Sequence, residues 1–490
     1  MTTTRFRTLE GAGDASSKAP EDAPKVHVVT FGCQMNKYDS LLVEGRFVDR
    51  GYRTTSELED ADVVLFNTCS VREHAEDRTF SWLGELKRAK RARPDLVIGV
   101  MGCMAQRIEG DVFSRAPQVD IVCGTRRLQD LPELVDELRS ARAEQAEGPS
   151  GRGARILATE MDGDVIVDRS QEAYTGGRAG FLTVMRGCDL NCTFCIVPTV
   201  RGRVKSRPIE ALVDEARWMV DSGAQVVTLL GQTVNSYGED FEKPGPGQPR
   251  HRGRQGRPSL ADLVYRLQEL DGLERIRFIT GHPAYLTPAL AEALRDCDKA
   301  ERFFPLPAQA GSDRVLKAMK RGYTVDLYRR RMEMLREIVP DIELASDWIV
   351  GFPTETEEDY LATEAFLEEQ GFAVNYIFKY DPRPTTHAAE ELVDDVPQEV
   401  KKDRNNRLLR KSEEVALARL QRHVGQTRRV FVEGDGRQPG RVVGRTEHGL
   451  PVSFRGEAAL VGTTVPVAIE SATAFGMSGR LHEESPLPPP

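Results

Sequence analysis

From residue 25 onward the chain alternates short β-branched runs with longer stretches of helical spacing. Residues 26–30, 63–67, 96–101 and 119–123 read as strands, and 39–50, 73–91 and 131–138 as helices. That alternation implies βαβ units and a parallel, doubly wound sheet. A polar stretch at 145–153 reads as a linker. A second series follows, with strands at 181–185, 226–230, 276–280, 302–305, 344–350 and 374–380 and helices between them, such as 209–222 and 260–270. Six β/α units predict a partial (β/α)6 barrel, although strand count alone leaves an open sheet as the alternative. Residues 239–258, rich in Pro, Gly and Arg, read as an exposed flexible insertion. After a charged helical stretch at 398–423 the pattern changes to short strands at 429–432, 440–443, 451–454 and 464–469, which predicts a small antiparallel β-barrel. The α/β chain therefore divides into a disordered tail (1–24), an N-terminal domain (25–142), a central domain (174–418) and a C-terminal barrel (421–485), with a Pro-rich end at 486–490.

Length agrees with that division, since 490 residues make about three domains at roughly 100–200 residues each. The net charge of −9 gives no global sign of nucleic-acid binding, so any such surface must be local. One candidate is residues 174–208, where Arg178, Arg186, Arg201, Arg203, Lys205 and Arg207 face one acid, Asp189. Such a patch suits phosphates beside a splayed-out base, and a solvated loop or pairing with distant acids is the plain alternative. A second lies in the last domain, at Arg428, Arg429, Arg437, Arg441 and Arg445. Neither a secretory h-region nor an apolar run of about 18 residues is present, which predicts a cytoplasmic protein that does not enter a membrane. In that compartment clustered cysteines are more often metal ligands than disulfides.

The densest cluster reads Arg186-Gly187-Cys188-Asp189-Leu190-Asn191-Cys192-Thr193-Phe194-Cys195. Three thiols at this spacing, with no His among them, favour an iron–sulfur centre over structural zinc, which usually takes two CxxC pairs or added histidines. Three ligands leave one iron of a cubane open. That iron can chelate S-adenosylmethionine (SAM), whose S–C5′ bond breaks on one-electron reduction to give a 5′-deoxyadenosyl radical. The triad also follows the first strand of the second series, at the strand end where such folds bind ligands. Upstream, Cys33, Cys69 and Cys103 each follow a predicted strand, and a doubly wound sheet gathers such loops at one edge. Position leaves open whether they hold a second cluster or are buried thiols packing as small hydrophobes. Cys123 also follows a strand, and Cys297 ends a polar helix. Gln309 and Ser312 follow a predicted strand and are candidate SAM contacts, with a structural turn as the equal reading. Asp347 and His282 read first as structural, whereas Gly351-Phe352-Pro353 follows a predicted strand where the backbone can approach the adenine of SAM, with a structural turn as the equal alternative.

Specific motifs carry a resemblance. Gly32-Cys33-Gln34-Met35-Asn36 with Asp39-Ser40, and Asn67-Thr68-Cys69-Ser70-Val71-Arg72-Glu73, resemble those of methylthiotransferases, most closely the MiaB branch of tRNA-2-methylthio-N6-dimethylallyladenosine synthases. Further matches are Gly102-Cys103, Cys188 through Pro198 with Arg201-Gly202, Leu229-Leu230-Gly231-Gln232, His282-Pro283, Gly311-Ser312-Asp313, and Ser346-Asp347 through Gly351-Phe352-Pro353. The chain departs from the pattern at Ala310 and at Thr385-Thr386-His387. The resemblance implies a radical SAM core, a TRAM-like C-terminal barrel and two 4Fe-4S clusters. Cys188, Cys192 and Cys195 would hold the catalytic one, and Cys33, Cys69 and Cys103 an auxiliary one. It implies transfer of a methylthio group to C2 of N6-isopentenyladenosine-37 in tRNA. One SAM would give the methyl group, a second the radical, and the auxiliary cluster would pass on the sulfur. An electron donor and a sulfur donor are implied without being identified. Arg201, Arg203, Lys205, Arg428 and Arg429 are the expected RNA contacts. The rival readings are the same chemistry on threonylcarbamoyladenosine or on a ribosomal-protein aspartate and, in another class, a non-catalytic iron–sulfur carrier or RNA-binding protein.

Overall fold

The structure, a computed structural model, describes residues 19–70, 73–146, 154–161 and 176–482. Most of the expected N-terminal tail, most of the 145–153 linker and the Pro-rich C-terminus lie outside the described residues. The first sheet comprises β1 (Lys25–Thr30), β2 (Arg53–Thr54), β3 (Val63–Thr68), β4 (Val97–Gly102), β5 (Ile121–Cys123) and β6 (Ile156–Ala158). Its order is β2-β1-β3-β4-β5-β6, and every pairing is parallel. Between the strands run α1 (Gln34–Asp49), α2 (Glu73–Ala92), α3 (Cys103–Ile108), α4 (Asp111–Arg115) and α5 (Leu131–Ala146). Two separate cores cover the two faces, one built on α1 and α5, the other on α2, α3 and α4. Strands β3 and β4 are buried at all six residues, as central parallel strands covered on both faces must be.

The central domain forms β7 (Ala179–Thr183), the two-residue pair β8 (Met185–Arg186) and β9 (Lys205–Ser206), then β10 (Val226–Leu230), β11 (Arg275–Phe278), β12 (Phe303–Pro305), β13 (Glu343–Val350) and β14 (Val374–Lys379). Its helices are α6 (Val197–Arg201), α7 (Ile209–Asp221), α8 (Leu260–Gln268), α9 (Pro288–Asp296), α10 (Asp313–Ala318), α11 (Val325–Ile338), α12 (Glu357–Gln370), α13 (His387–Glu391) and α14 (Gln398–Gln421). Strands β11-β10-β7 and β12-β13-β14 form two parallel half-sheets, joined by a bridge between Ile276 and Ala300. Among the described residues β7 and β14 remain edges, so the six strands make an open arc, the expected partial barrel. The 239–258 segment differs from the flexible insertion expected. Arg257 donates to the Phe241 carbonyl at 2.8 Å, Arg254 pairs with Glu239 at 3.5 Å and the His251 N–H donates to Gly256 at 2.9 Å, so internal bonds give the loop a fixed fold.

β15 (Thr427–Asp435), β16 (Arg441–Thr446), β17 (Pro451–Arg455), β18 (Thr464–Thr473) and β19 (Gly476–Leu481) close a barrel. It is antiparallel as expected except at β17–β19, which pair in parallel. The sequence pattern did not predict β19, the strand that closes it. This barrel sits under the N-terminal ends of the central strands. Arg277 pairs with Glu433 at 2.5 Å, the Arg302 N–H donates to Glu447 at 2.9 Å and Gln225 donates to Gly462 at 2.8 Å. The opposite, carboxyl ends of the strands are left for chemistry.

Candidate functional site

Cys33, Cys69 and Cys103 follow β1, β3 and β4, three adjacent strands, so their loops lie side by side. Buried amides hold those loops together. Asn36 Nδ2 donates to Asn67 Oδ1 at 2.9 Å and to the Thr68 carbonyl at 3.0 Å. Asn67 Nδ2 donates back to the Asn36 carbonyl at 2.8 Å and to Ser40 Oγ at 2.9 Å. Thr68 Oγ1 donates to the Met101 carbonyl at 2.7 Å. Buried polar groups demand such partners, which explains why Asn and Thr flank these cysteines. Gly102 turns into α3 at φ 93°, and a Cβ there would stand 2.5 Å from Asn67 Oδ1, so only glycine fits.

Electrostatics differ within this triad. A hydrogen bond with Cys69, helped by nearby Arg201, pulls the Cys33 thiol down to about 5 against the opposing effect of burial. Burial pushes Cys103 up, against the pull of Arg201. Arg201 comes from α6 of the central domain, where Nη2 donates to Asp39 Oδ2 at 2.7 Å. Arg186 Nη2 donates to the other oxygen at 3.2 Å, and Asp39 is fully buried. One carboxylate thus ties the first domain to the loops that flank the second triad.

The second triad is set by its own backbone. Gly187 has φ 72°, and a Cβ there would meet the Arg203 carbonyl at 2.1 Å. The Cys188 N–H donates to Gly202 at 3.1 Å, and the Cys195 N–H to Cys192 at 3.0 Å. Thr193 fastens the loop to the end of α10, its N–H donating to Met319 at 3.0 Å and its hydroxyl to Ala318 at 3.0 Å. Arg321 Nη1 donates to Cys192 Sγ at 3.3 Å, and Thr233 Oγ1 lies 3.6 Å from Cys188 Sγ. Burial pushes Cys195 up to about 12 and raises Cys188. Such thiols ionise when a cation coordinates them. Among the described residues no three His, Cys, Asp or Glu side chains converge closely enough for one bound ion. Each triad gathers buried or half-buried thiols beside one arginine, Arg201 at the first and Arg321 at the second, and thiolates balanced by a cation are a donor set that suits an iron–sulfur cluster. Cys103 packs with Ile196 and Val200, and Ile196 follows Cys195 in sequence, so the two triads are neighbours.

The remaining expected residues fall unevenly. Ser312 caps α10 and donates to Asp359 Oδ1 at 2.6 Å, so its hydroxyl holds structure. Gln309 is buried at φ 66°, its N–H donating to Asp347 at 2.9 Å. His282 is also structural: Nδ1 accepts from the Ala284 N–H at 3.3 Å and Nε2 lies 3.1 Å from the Arg321 carbonyl. Burial, then Arg321, pulls its pKa down to about 3, so it stays neutral. Arg201 corrects the RNA expectation, because its side chain is 5% exposed and paired with Asp39, which leaves no face for a phosphate. Arg203 pairs with Asp189 at 3.4 Å but is 88% exposed, and Lys205 is exposed as well, so both lie at the surface where a phosphate can approach. Arg428 pairs with Glu447 at 3.5 Å, and Arg429 is half-buried. Cys123 is enclosed and Cys297 is buried at the end of α9. Two functional neighbours escaped sequence reasoning, Arg321 at Cys192 and Asp39 as the joint between domains. The Arg321-Gly322-Tyr323 turn after α10 was the signal available for the first.

Three family models match the chain. They are the Uncharacterized protein family UPF0004 over residues 25–124, the Radical SAM superfamily over 182–367 and the TRAM domain over 421–481. Similar full-length relatives named tRNA-2-methylthio-N(6)-dimethylallyladenosine synthase include that of Rhodopirellula baltica, 38% identical over 93% of this chain and 95% of that one. That of Bordetella avium is 40% identical over 96% of each, and that of Aquifex aeolicus 37% identical over 94% and 99%. Among solved structures, the radical S-adenosylmethionine methyltransferase TsrM from Kitasatospora setae, with cobalamin and a 4Fe-4S cluster bound, aligns with a TM-score of 0.52 and 15% identity over 75% of this chain and 77% of that one. The cobalamin-dependent radical enzyme OxsB aligns with a TM-score of 0.51 and 14% identity over 78% and 56%. At that identity both show a shared fold. No helix among the described residues is long and apolar enough to cross a membrane.

Proposed function

This chain belongs to the tRNA-2-methylthio-N(6)-dimethylallyladenosine synthases, a family of radical SAM enzymes, and from that membership we propose that it adds a methylthio group to C2 of N6-isopentenyladenosine-37 in tRNA, using two SAM and two 4Fe-4S clusters. SAM and one cluster come with the radical SAM superfamily. The second cluster rests on this chain's own cysteines. Cys188, Cys192 and Cys195 would hold the first, and Cys33, Cys69 and Cys103 the second. Bound there, open-iron clusters supply an electron for SAM cleavage at one triad and a point of sulfur attachment at the other.

The chain's own residues position and balance these groups. Arg321 sets a positive charge beside Cys192, and Arg201 does so beside Cys33 and Cys103. Asp39 fixes Arg201, so the charge keeps its place without water. Exposed Arg203 and Lys205 border the Cys188 loop and suit the phosphates of an RNA whose base enters the arc. The observation that supports transfer between the triads is their contact through Cys103, Ile196 and Val200.

The test is nucleoside mass spectrometry of isopentenylated tRNA after incubation with anaerobically reconstituted protein, SAM, dithionite and inorganic sulfide as the sulfur source. The expected product is 2-methylthio-N6-isopentenyladenosine. Unmodified tRNA despite normal 5′-deoxyadenosine formation would refute the assignment.

A further inference from the structure

Strand β14 ends the arc, and its two faces are unlike. Ile377 packs into the central core. Asn375 Oδ1 accepts from Trp348 Nε1 at 2.9 Å on that same face, where Trp348 meets Phe366 and Phe372. Side chains alternate along a strand, so Tyr376 and Phe378 must point to the other face, into the arc. Both are more than half exposed, Tyr376 at 55% and Phe378 at 53%. Helix α14 packs against β14 and its Leu408 belongs to the same core as Ile377, yet Tyr376 and Phe378 stay exposed.

Parallel register sets Tyr376 beside Asp347 and Phe378 beside Ile349. These four side chains form one continuous strip on the inner face. The strip leads to the radical site, for the Gln309 N–H donates to the Asp347 carbonyl at 2.9 Å, and Arg321, which holds Cys192, donates to the carbonyl of Pro307 two residues before Gln309 at 3.3 Å. Two neighbouring aromatic rings left open inside a reaction cleft are not explained by packing. Their flat π-faces and apolar edges match a purine carrying a five-carbon alkyl group.

We propose that Tyr376 and Phe378 form the stacking platform for the extruded, isopentenylated purine of the RNA, with the alkyl group lying along Ile349. The inference rests on the tRNA reading above and names where in the cleft the base is held. A platform on the inner face of the last strand lets a base enter through the open side between β14 and β7 and stop beside the radical site. Stacking of one base on an aromatic side chain is worth about five- to 150-fold in affinity by alanine substitution.

The test uses anaerobically reconstituted holoenzyme and an anticodon stem-loop RNA with either isopentenyladenosine or adenosine at position 37, with binding read by fluorescence anisotropy. The Tyr376→Ala/Phe378→Ala variant is expected to lose about tenfold or more in affinity for the isopentenylated loop and most of its preference over plain adenosine. Tyr376→Phe and Phe378→Tyr should restore both. Thermal melts alongside check that each variant is folded. Undiminished affinity and preference in a folded double variant would overturn the platform. So would a loss of self-association in that variant with RNA binding intact, which would make the strip an interface between copies. Failure of the wild-type enzyme to methylthiolate the same stem-loop would instead remove the tRNA reading itself.

Discussion

Replacing Asp39 by Asn isolates the joint between the two domains. The carboxylate is fully buried and accepts from Arg201 at 2.7 Å and Arg186 at 3.2 Å. Asn keeps the volume and one acceptor oxygen but removes the charge. Arg186, 15% exposed, can turn toward water, whereas Arg201, 5% exposed, cannot. Breaking a buried pair from one side costs about 3–5 kcal/mol. The low end applies here, because Cys33, whose thiol is pulled down to about 5, lies close enough as a thiolate to offset part of the stranded charge. A loss of about 3 kcal/mol lowers the melting temperature of a unit this size by roughly 6–12 °C. Calorimetry of the cluster-free protein measures it, and replacing Asp39 and Arg201 together by Leu should recover a large part of the loss. If Asp39→Asn melted within about 1 °C of the wild type, the joint would carry no energy and the account of the domain contact would be wrong.

Gly102→Ala forces a Cβ to 2.5 Å from Asn67 Oδ1 at a positive φ. It should cost about 1–3 kcal/mol and lower cluster occupancy at the first triad, read by melting and by iron content. At Asp359, hydrogen bonds from Arg314, Ser312 and Thr356 outweigh the upward push of burial and hold the carboxyl well below the usual carboxylate range. Its folded pKa is depressed, so its stabilisation is present above about pH 4 and fades as pH falls further. Asp359→Asn should therefore destabilise the protein at neutral pH and flatten its loss of stability in acid, as denaturant melts across that range would show. Arg203→Ala and Lys205→Ala should weaken tRNA binding uniformly and reduce its salt dependence by about one unit of log–log slope each. Arg201→Ala should act mainly through stability and the first triad, because its guanidinium faces Asp39.

The elements legible in the sequence were those with a period or a spacing. β3 and β4, six-residue strands that open on apolar residues, and the Cys-x3-Cys-x2-Cys segment declared themselves locally. What stayed hidden depends on distant partners. Arg201 reads as a basic-loop residue until its acceptor, 162 positions away, is seen to be buried beneath it. Arg321 meets Cys192 across 129 positions. β8 and β9 are two residues each, too short for alternation to register, and β19 contains two glycines that dilute its pattern. The 239–258 loop has the composition of a flexible segment, yet its arginines hold it by bonding its own carbonyls and Glu239. Tyr376 and Phe378 look like core positions of a strand, and only the open arc leaves them facing solvent.

The central claim is that each of two thiol triads holds its own cluster. Mössbauer spectroscopy with iron and sulfide analysis of anoxically purified protein tests it directly. The account predicts about eight irons per chain in two 4Fe-4S clusters, falling to about four when Cys33, Cys69 and Cys103 are changed to Ala, with SAM cleavage retained. About four irons in the unaltered protein, unmoved by those three changes, would contradict it.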